Sequence, residues 1–324
     1  MTEKLISVVI PVYDEEENIP PLLEALREVF VPFPYRHEFV FVNDGSMDGS
    51  LKRLHEEAKR DPSVKILDFS RNFGKETALT AGCHYAQGDA VITMDADLQH
   101  PPSLIPELLA AWEGGAEVVY TVRRANRGAG PFKWLSSAAF YWLFNRVSEM
   151  KTEAGTTDFR LMNRKVMEVF RLIPERERMF RGLIDWMGFR RVRVVFDAPD
   201  RVHGEARYSF VKLFRLAMNS LTAFSLFPLR LAGYLGILIT LVSGILLVIM
   251  LVTRWFFSPA LFTPIAILAV GNTFLIGIVL VCLGFIALYI ARIHAEVSGR
   301  PLYIVREEVN LDDETRKRGP TSRP

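Results

Sequence analysis

Residues 91–102 read Val91-Ile-Thr-Met-Asp-Ala-Asp-Leu-Gln-His-Pro-Pro102. An apolar run ends in two carboxylates, Asp95 and Asp97, and a Pro-Pro pair then turns the chain. Val91 to Met94, entered from Gly88-Asp89, has the length and composition of a buried parallel strand. The carboxylates therefore stand at the carboxyl end of a strand, where open α/β sheets hold their ligands. Two hard oxygen ligands one residue apart suit Mg²⁺ or Mn²⁺ shared with substrate phosphates. Alone, Asp-x-Asp also fits a solvated acidic turn, so the surrounding chain has to decide.

On the N-terminal side, Leu5 to Pro11 is a short apolar strand, followed by a helix from about residue 19 to 29 with Leu22, Leu23 and Leu26 on one face. Glu38 to Val42 is a second strand, ending in Asn43-Asp44-Gly45-Ser46, and Asp48 can cap the helix that runs to Arg60. Val64 to Phe69 is a third strand, after which Ser70-Arg-Asn-Phe-Gly-Lys75 opens another helix. Beyond the motif come a helix from about Ser103 and a strand from Glu117 to Val122. Such alternation predicts an α/β fold with a doubly wound, mostly parallel sheet. Pro11, Tyr13, Glu15 and Asp44 then gather at one sheet edge, with Asp95 and Asp97 beyond them. An aromatic ring for stacking and carboxylates for base and ribose make a nucleotide pocket. Asp44-Gly45-Ser46 reads alone as a turn with a cap.

At 324 residues the chain accommodates one large domain and an appendage. Half the residues are hydrophobic, and the excess is local. Leu231 to Thr253 carries no charge, and a second uncharged run extends from Trp255 to Ala291, broken near Ser258-Pro259 and Pro264. Each exceeds the roughly 20 apolar residues that a membrane-crossing helix needs. The expectation is a transmembrane hairpin within residues 230–292, with helices at about 231–253 and 265–291. Lys212, Arg215 and Arg230 precede it and Arg292, His294 and Arg300 follow, while Arg254 lies near the loop. The positive-inside rule then places the N-terminal region and both termini in the cytoplasm of a multi-pass inner-membrane protein. No signal peptide is expected, because the apolar run after Lys4 is short and enters Pro11. With 39 Lys and Arg against 37 Asp and Glu and no long basic block, no nucleic-acid partner is expected. Cys83 and Cys282 read as packed free thiols of a reducing compartment.

The string Asp95-Ala-Asp-Leu-Gln-His-Pro-Pro102 resembles the metal and nucleotide-sugar motif of family 2 glycosyltransferases, especially those that load sugars onto polyprenyl phosphates. Pro11-Val-Tyr-Asp-Glu-Glu16, Asn43-Asp-Gly-Ser46 and Arg71-Asn-Phe-Gly-Lys75 follow that family's order and spacing, and the likeness covers nearly the whole chain. The resemblance implies a GT-A catalytic domain over residues 1–210. It implies that Pro11, Tyr13, Glu15 and Asp44 hold the nucleoside of a nucleotide diphosphate sugar and that Lys75 and Asp95 lie at the donor. Asp97 would bind the metal, Mg²⁺ or Mn²⁺, and Gln99 can join its shell. Asp14 departs from the family, where Asn is more usual.

Further on, residues 132–147 hold six aromatics and two cations, which suits an interfacial amphipathic helix over 131–147 and also a soluble core. Tyr208 to Phe227 is a second amphipathic candidate, giving a juxtamembrane segment at about 211–229. By resemblance, Arg123, Lys133 and Ser137 contact acceptor phosphate. Asp158, in Gly155-Thr-Thr-Asp-Phe-Arg-Leu161, would lie near the acceptor as a catalytic carboxylate, although that string reads alone as a cap or turn. Glu175-Arg-Glu-Arg178 and Arg181-Gly-Leu-Ile-Asp-Trp186 read as a charged helical segment with structural ion pairs, and Arg191 to Asp197 as an alternating strand. Arg201-Val-His-Gly-Glu-Ala-Arg-Tyr-Ser209 resembles the family's Arg-x-x-Gly-x-x-Lys-Tyr loop. Arg201 keeps the phosphate-binding residue, whereas Arg207 replaces Lys with a cation of different geometry. The tail over 293–324 is charged beyond Val305 and expected to be poorly ordered.

The implied reaction is inverting transfer of a hexose to polyprenyl (undecaprenyl) phosphate, with glucose from UDP-glucose preferred on overall likeness to bacterial lipid-linked glucosyl carriers. Asp95, Asp97, Asp158 and Arg201 are the catalytic candidates. A phosphate monoester has a second pKa near ~6 and is mostly dianionic at neutral pH, so Asp158 is expected to orient the nucleophile rather than deprotonate it. The His100-Pro-Pro ending also resembles GDP-mannose-dependent dolichyl-phosphate mannose synthases. A processive polysaccharide synthase is disfavoured by the missing Gln-x-x-Arg-Trp motif, and a non-enzymatic membrane scaffold by the joint presence of the four candidates. Membrane-anchored relatives suggest a homo-oligomer, a tetramer.

Overall fold

The apolar runs of the first third form strands buried on both faces, which is why they read as unbroken Val-Val-Ile or Phe-Val-Phe-Val rather than alternating. The computed structural model describes residues 3–124, 155–173, 175, 179–197 and 297–312, with scattered positions from 252 to 294. Strand β1 (Leu5–Val12) is flanked by β2 (Arg36–Asn43) and β4 (Ala90–Thr93), both parallel to it, and β3 (Val64–Phe69) extends the row beyond β2. Helices α1 (Ile19–Phe30), α2 (Ser50–Arg60) and α3 (Lys75–Tyr85) make the connections. Pro20 and Pro21 fall in the first turn of α1, where a missing N–H costs nothing, and Leu22, Leu23, Leu26 and Phe30 are buried. In α3, a Cβ at Gly82 would lie 2.2 Å from Val9 Cγ1, so glycine lets this helix approach β1 closely. Cys83 is wholly buried there.

A 3₁₀ turn (Pro102–Leu104) and α4 (Ile105–Glu113) lead to β5 (Val118–Arg123). Then follow β6 (Thr156–Asn163), α5 (Arg164–Leu172), α6 (Phe180–Trp186), β7 (Arg191–Phe196) and β8 (Val305–Val309). The sheet order is β7-β5-β6-β4-β1-β2-β3-β8. β6 enters antiparallel between β4 and β5, and β8 pairs antiparallel with β3. The sheet is therefore mixed rather than mostly parallel. Two stretches account for the difference. Thr156-Thr-Asp carries turn-forming residue types, but it opens a strand whose later residues, 160–163, pair with β4 and whose Thr156 pairs with Val122 of β5. Residues 305–309, expected within a poorly ordered tail, form the edge strand β8.

Two compact units are distinguished, one of Met1–Asn145, Met150–Tyr208 and Arg300–Pro324, the other of Arg146–Glu149 and Ser209–Gly299. The amphipathic segments at 131–147 and 211–229 lie outside the described residues, as do most positions of the two apolar runs. Among the described residues, no helix is long and apolar enough to cross a membrane. The expected multi-pass inner-membrane placement, with its cytoplasmic termini, is corrected on that finding. An apolar run is only one condition for a span; a continuous helix of about 20 residues is the other.

Candidate active site

The strand order reverses at β1, whose neighbours are β2 and β4, and the crevice at such a switch point is where open α/β sheets bind ligands. Three loops leave the carboxyl ends there. After β1, Tyr13 is 46% exposed and open to stacking, while Pro11 and Glu15 are half-buried. Asp14 adopts a left-handed backbone, φ 55°, and its Oδ1 accepts the Met47 N–H at 2.8 Å. Asn and Asp both tolerate that conformation, so the departure from the family residue is accommodated.

After β2, Asp44 is buried and both its carboxylate oxygens are engaged. Oδ1 accepts the Phe73 N–H at 2.6 Å and Oδ2 the Gly74 N–H at 2.9 Å. Burial pushes the Asp44 carboxyl above its ordinary range, and these two N–H groups and Arg71 only partly reverse that. Gly45 sits at φ 69°, and a Cβ there would lie 2.5 Å from the Arg71 carbonyl carbon, which explains glycine at the point where the two loops meet. Asp44 thus clamps the segment that delivers Lys75 to the start of α3.

Lys75 Nζ lies 2.6 Å from Asp95 Oδ1 and 2.9 Å from Asp158 Oδ2. Burial would lower the Lys75 pKa, but the two carboxylates outweigh it and hold the ammonium above its ordinary range. On the other side, Arg181 Nε stands 3.0 Å from Asp158 Oδ1, and Arg181 Nη1 donates to the Thr156 carbonyl at 2.9 Å. Burial would raise the Asp158 carboxyl, yet Lys75 and Arg181 keep it below the usual carboxylate range. Arg181 is held in place because its helix, α6, is anchored by Asp185, which pairs with the wholly buried Arg160 at 2.9 Å and with Arg191 at 3.0 Å.

After β4, the Asp95 N–H donates to His100 Nδ1 at 2.9 Å, and the buried His100 ring stacks on Phe159 at 5.3 Å. Accepting that N–H requires an unprotonated Nδ1. The 3.8 Å approach to Asp95 Oδ2 would favour a charged ring, but burial lowers the His100 pKa and we take the ring as neutral. Leu98 is left-handed at φ 59°, and the Gln99 N–H donates to Asp97 Oδ1 at 3.1 Å, forming a tight turn at the end of the motif. A non-glycine residue in that region costs of order 1 kcal/mol, a strain typical of ligand-binding turns.

A cavity of about 190 Å³ opens here, with the acids Asp95 and Asp158, the cations Arg123 and Arg181, and Gln99 among its lining. Asp95 Oδ1 and Asp158 Oδ1 are buried without an aligned hydrogen bond, despite their close cationic neighbours. Among the described residues, no group of three or more His, Cys, Asp or Glu is arranged to hold a metal ion. A Mg²⁺ site needs fewer, since one or two carboxylates suffice when substrate phosphates and water complete the shell. The carboxylates of Asp95 and Asp97 are hard oxygen donors one residue apart and fit that donor set, with Asp95 Oδ1 also 2.6 Å from Lys75 Nζ.

Lys75, Asp95 and Asp158 thus form one connected cluster, with Arg123 and Gln99 at its cavity; Asp44 holds the backbone just before Lys75, and Tyr13 and Glu15 lie in the loop tied to the Asp44 turn. Lys133, Ser137, Arg201 and Arg207 lie outside the described residues. Arg181 and His100 were not singled out by sequence reasoning. Arg181 lies in the stretch Arg181-Gly-Leu-Ile-Asp-Trp186, which reads from the sequence as a charged helical segment with structural ion pairs.

The sequence matches glycosyl transferase family 2 over residues 7–170. An uncharacterized glycosyltransferase of Synechocystis is 41% identical over 310 residues, spanning 95% of this chain and 96% of its own. A prophage-derived bactoprenol glucosyl transferase of Shigella flexneri is 40% identical, spanning 93% of this chain and 97% of its own. The crystal structure of mannosyl-3-phosphoglycerate synthase from Rubrobacter xylanophilus matches with a TM-score of 0.50 at 17% identity, covering 68% of this chain and 72% of that one, a likeness of fold alone. With a GT-A-like mixed sheet and relatives that align almost end to end, the chain belongs to glycosyl transferase family 2.

Proposed function

We propose that this protein transfers a glucosyl group from UDP-glucose to a polyprenyl phosphate, with inversion at the anomeric carbon. The observation that carries this reading is the cavity in which Arg123 and Arg181 face Asp95 and Asp158 beside the Asp95-x-Asp97 turn. Its cations suit two phosphate-bearing substrates brought together, and its carboxylates suit a metal and a sugar. The choice of glucose and of the lipid acceptor draws on the Shigella flexneri relative.

In this mechanism Pro11, Tyr13 and Glu15 hold the nucleoside, and Asp44 fixes the loop against which it rests. The acceptor phosphate oxygen forms a bond to the anomeric carbon. The bond from that carbon to the donor diphosphate breaks, and its electron pair leaves with the diphosphate. Arg123 and Arg181, with Lys133, Ser137, Arg201 and Arg207 on the acceptor side, offset the repulsion between the two phosphate groups. Asp158 stays ionised between Lys75 and Arg181, which makes it a poor proton acceptor and a good orienting group. Asp97 and Asp95, with Gln99 beside them, would hold Mg²⁺ or Mn²⁺, which when bound neutralises charge on the leaving diphosphate.

The test is transfer of radiolabel to undecaprenyl phosphate from UDP-glucose, UDP-N-acetylglucosamine or GDP-mannose, offered separately with Mg²⁺ or Mn²⁺. Transfer from UDP-glucose alone, abolished by chelation, is the expected result. Transfer from GDP-mannose alone would replace the donor, and absence of nucleotide binding would sink the transferase reading.

A further inference from the structure

Strand β8 is bonded to the donor side of the sheet by side chains as well as by its backbone. Arg306 directs both Nε and Nη2 at one oxygen of Asp68, Oδ2, each at 2.6 Å. The other oxygen, Oδ1, accepts from Asn43 Nδ2 at 2.7 Å. That bond fixes the Asn43 amide with its oxygen toward the loop, where it accepts from Ser46 Oγ at 2.6 Å. Ser46 Oγ in turn accepts the Asp14 backbone N–H at 3.1 Å. The relay therefore runs from β8 into the two loops that carry Tyr13, Glu15 and Asp44.

An aromatic route runs beside it. Tyr303, buried just before β8, stacks on Phe69 at 5.1 Å. Phe69 meets Phe73 edge-on at 5.6 Å, and the Phe73 N–H is the one that Asp44 accepts. Asp68 and Asn43 are wholly buried, so Asp68 depends on Arg306 to balance its charge. A carboxylate left half-satisfied would compete for the Asn43 amide and release the Ser46 turn.

We propose that β8 positions the donor nucleotide, with Arg306 acting through Asp68, Asn43 and Ser46 to set the geometry of the Asp14 and Asp44 loops. The inference rests on the reading that these loops hold the donor nucleoside. Arg306 is a positioning residue, and its signature is a split between donor and acceptor kinetics.

The experiment compares Arg306→Ala, Arg306→Lys and Asp44→Asn in the full chain, reading UDP affinity by calorimetry, KM for each substrate, kcat and thermal midpoint. Arg306→Ala should weaken UDP binding and raise donor KM by about three- to tenfold with acceptor KM unchanged, and Arg306→Lys should recover most of the loss. If Arg306→Ala does not fold, Ser46→Ala cuts the relay downstream of β8 and should give the same split. A parallel loss in both KM values and kcat with a lowered midpoint, the mark of a merely structural role, would overturn the inference. So would unchanged UDP affinity in Arg306→Ala (or in Ser46→Ala, where that variant replaces it) while Asp44→Asn lowers it. If Asp44→Asn also leaves UDP affinity unchanged, the donor-pocket reading falls and the inference with it.

Discussion

Replacing Asp44 by Asn separates stability from donor binding. Asp44 is 3% exposed and accepts two backbone N–H groups, from Phe73 at 2.6 Å and Gly74 at 2.9 Å. The amide oxygen of Asn can keep one of these bonds, but its NH₂ then confronts the other N–H. Losing that bond and leaving a buried donor unpaired costs about 1–3 kcal/mol. Against this, burial disfavours the charged carboxylate strongly enough to raise its pKa despite both bonds, and a neutral amide escapes that penalty. The two effects oppose, leaving a net loss of about 1 kcal/mol, or roughly 2–4 °C in thermal midpoint for a domain of this size. Donor binding has no such compensation, because the displaced segment is the one that delivers Lys75 to Asp95 and Asp158. A fall in UDP affinity of about tenfold, equivalent to ~1.4 kcal/mol, is expected. Thermal unfolding and UDP titration on the same preparation decide the matter. A midpoint lowered by more than about 8 °C with unchanged UDP affinity would refute the reasoning, since the clamp would then serve the fold and not the site.

Three further outcomes are expected. Asp97→Ala should keep the wild-type melting curve, because Asp97 is only half-buried, while metal-stimulated transfer falls roughly 100-fold or more, the scale of one lost transition-state charge contact. Asp158 is held below the usual carboxylate range, since Lys75 and Arg181 outweigh its burial, so its ionised form adds stability above the unfolded carboxylate pKa of about 4. That contribution is lost as pH falls through the lower folded value, and Asp158→Asn should flatten the acid limb of midpoint against pH while retaining measurable transfer. Near-total loss of transfer with normal binding would instead argue for a catalytic base. Arg181→Ala should lower kcat/KM by about tenfold or more, and Arg181→Lys should restore only part, because a point charge cannot replace both the Asp158 contact and the bond to the Thr156 carbonyl.

The first third of the chain was legible because its strands are short, apolar and punctuated by polar residues where they end. Asp44, Lys75, Asp95 and Asp158 were all named from the sequence; the structure brings the last three into one cluster and sets Asp44 against the backbone just before Lys75. What the sequence could not supply was their mutual pairing, since Lys75 reaches carboxylates from two different strand ends and no local pattern encodes that. β6 was missed for a related reason: Thr156-Thr-Asp has the composition of a turn, and it becomes a strand through pairing with β5 at Thr156 and the pairing of residues 160–163 with β4. Val305-Arg-Glu-Glu-Val309 escaped notice because three of its five residues are charged, which is how an edge strand differs from a central one. The apolar runs beyond residue 230 show the limit from the other side. Hydropathy reports composition, and among the described residues that composition is not matched by a membrane-crossing helix.

The edge position of β8 also bears on how the polypeptide reaches its native state. Asp68 and Arg306 lie 238 residues apart in the chain, so the outer flank of β3 stays open until β8 has been synthesised. Every residue of β3 is buried in the finished fold, and an uncovered strand presents unpaired N–H and C=O groups that pair readily with another copy of itself. Ribosome-bound chains that have not yet reached β8 would therefore carry a sticky flank that β8 later conceals, and closing it late makes folding of this sheet slow and dependent on protection during synthesis.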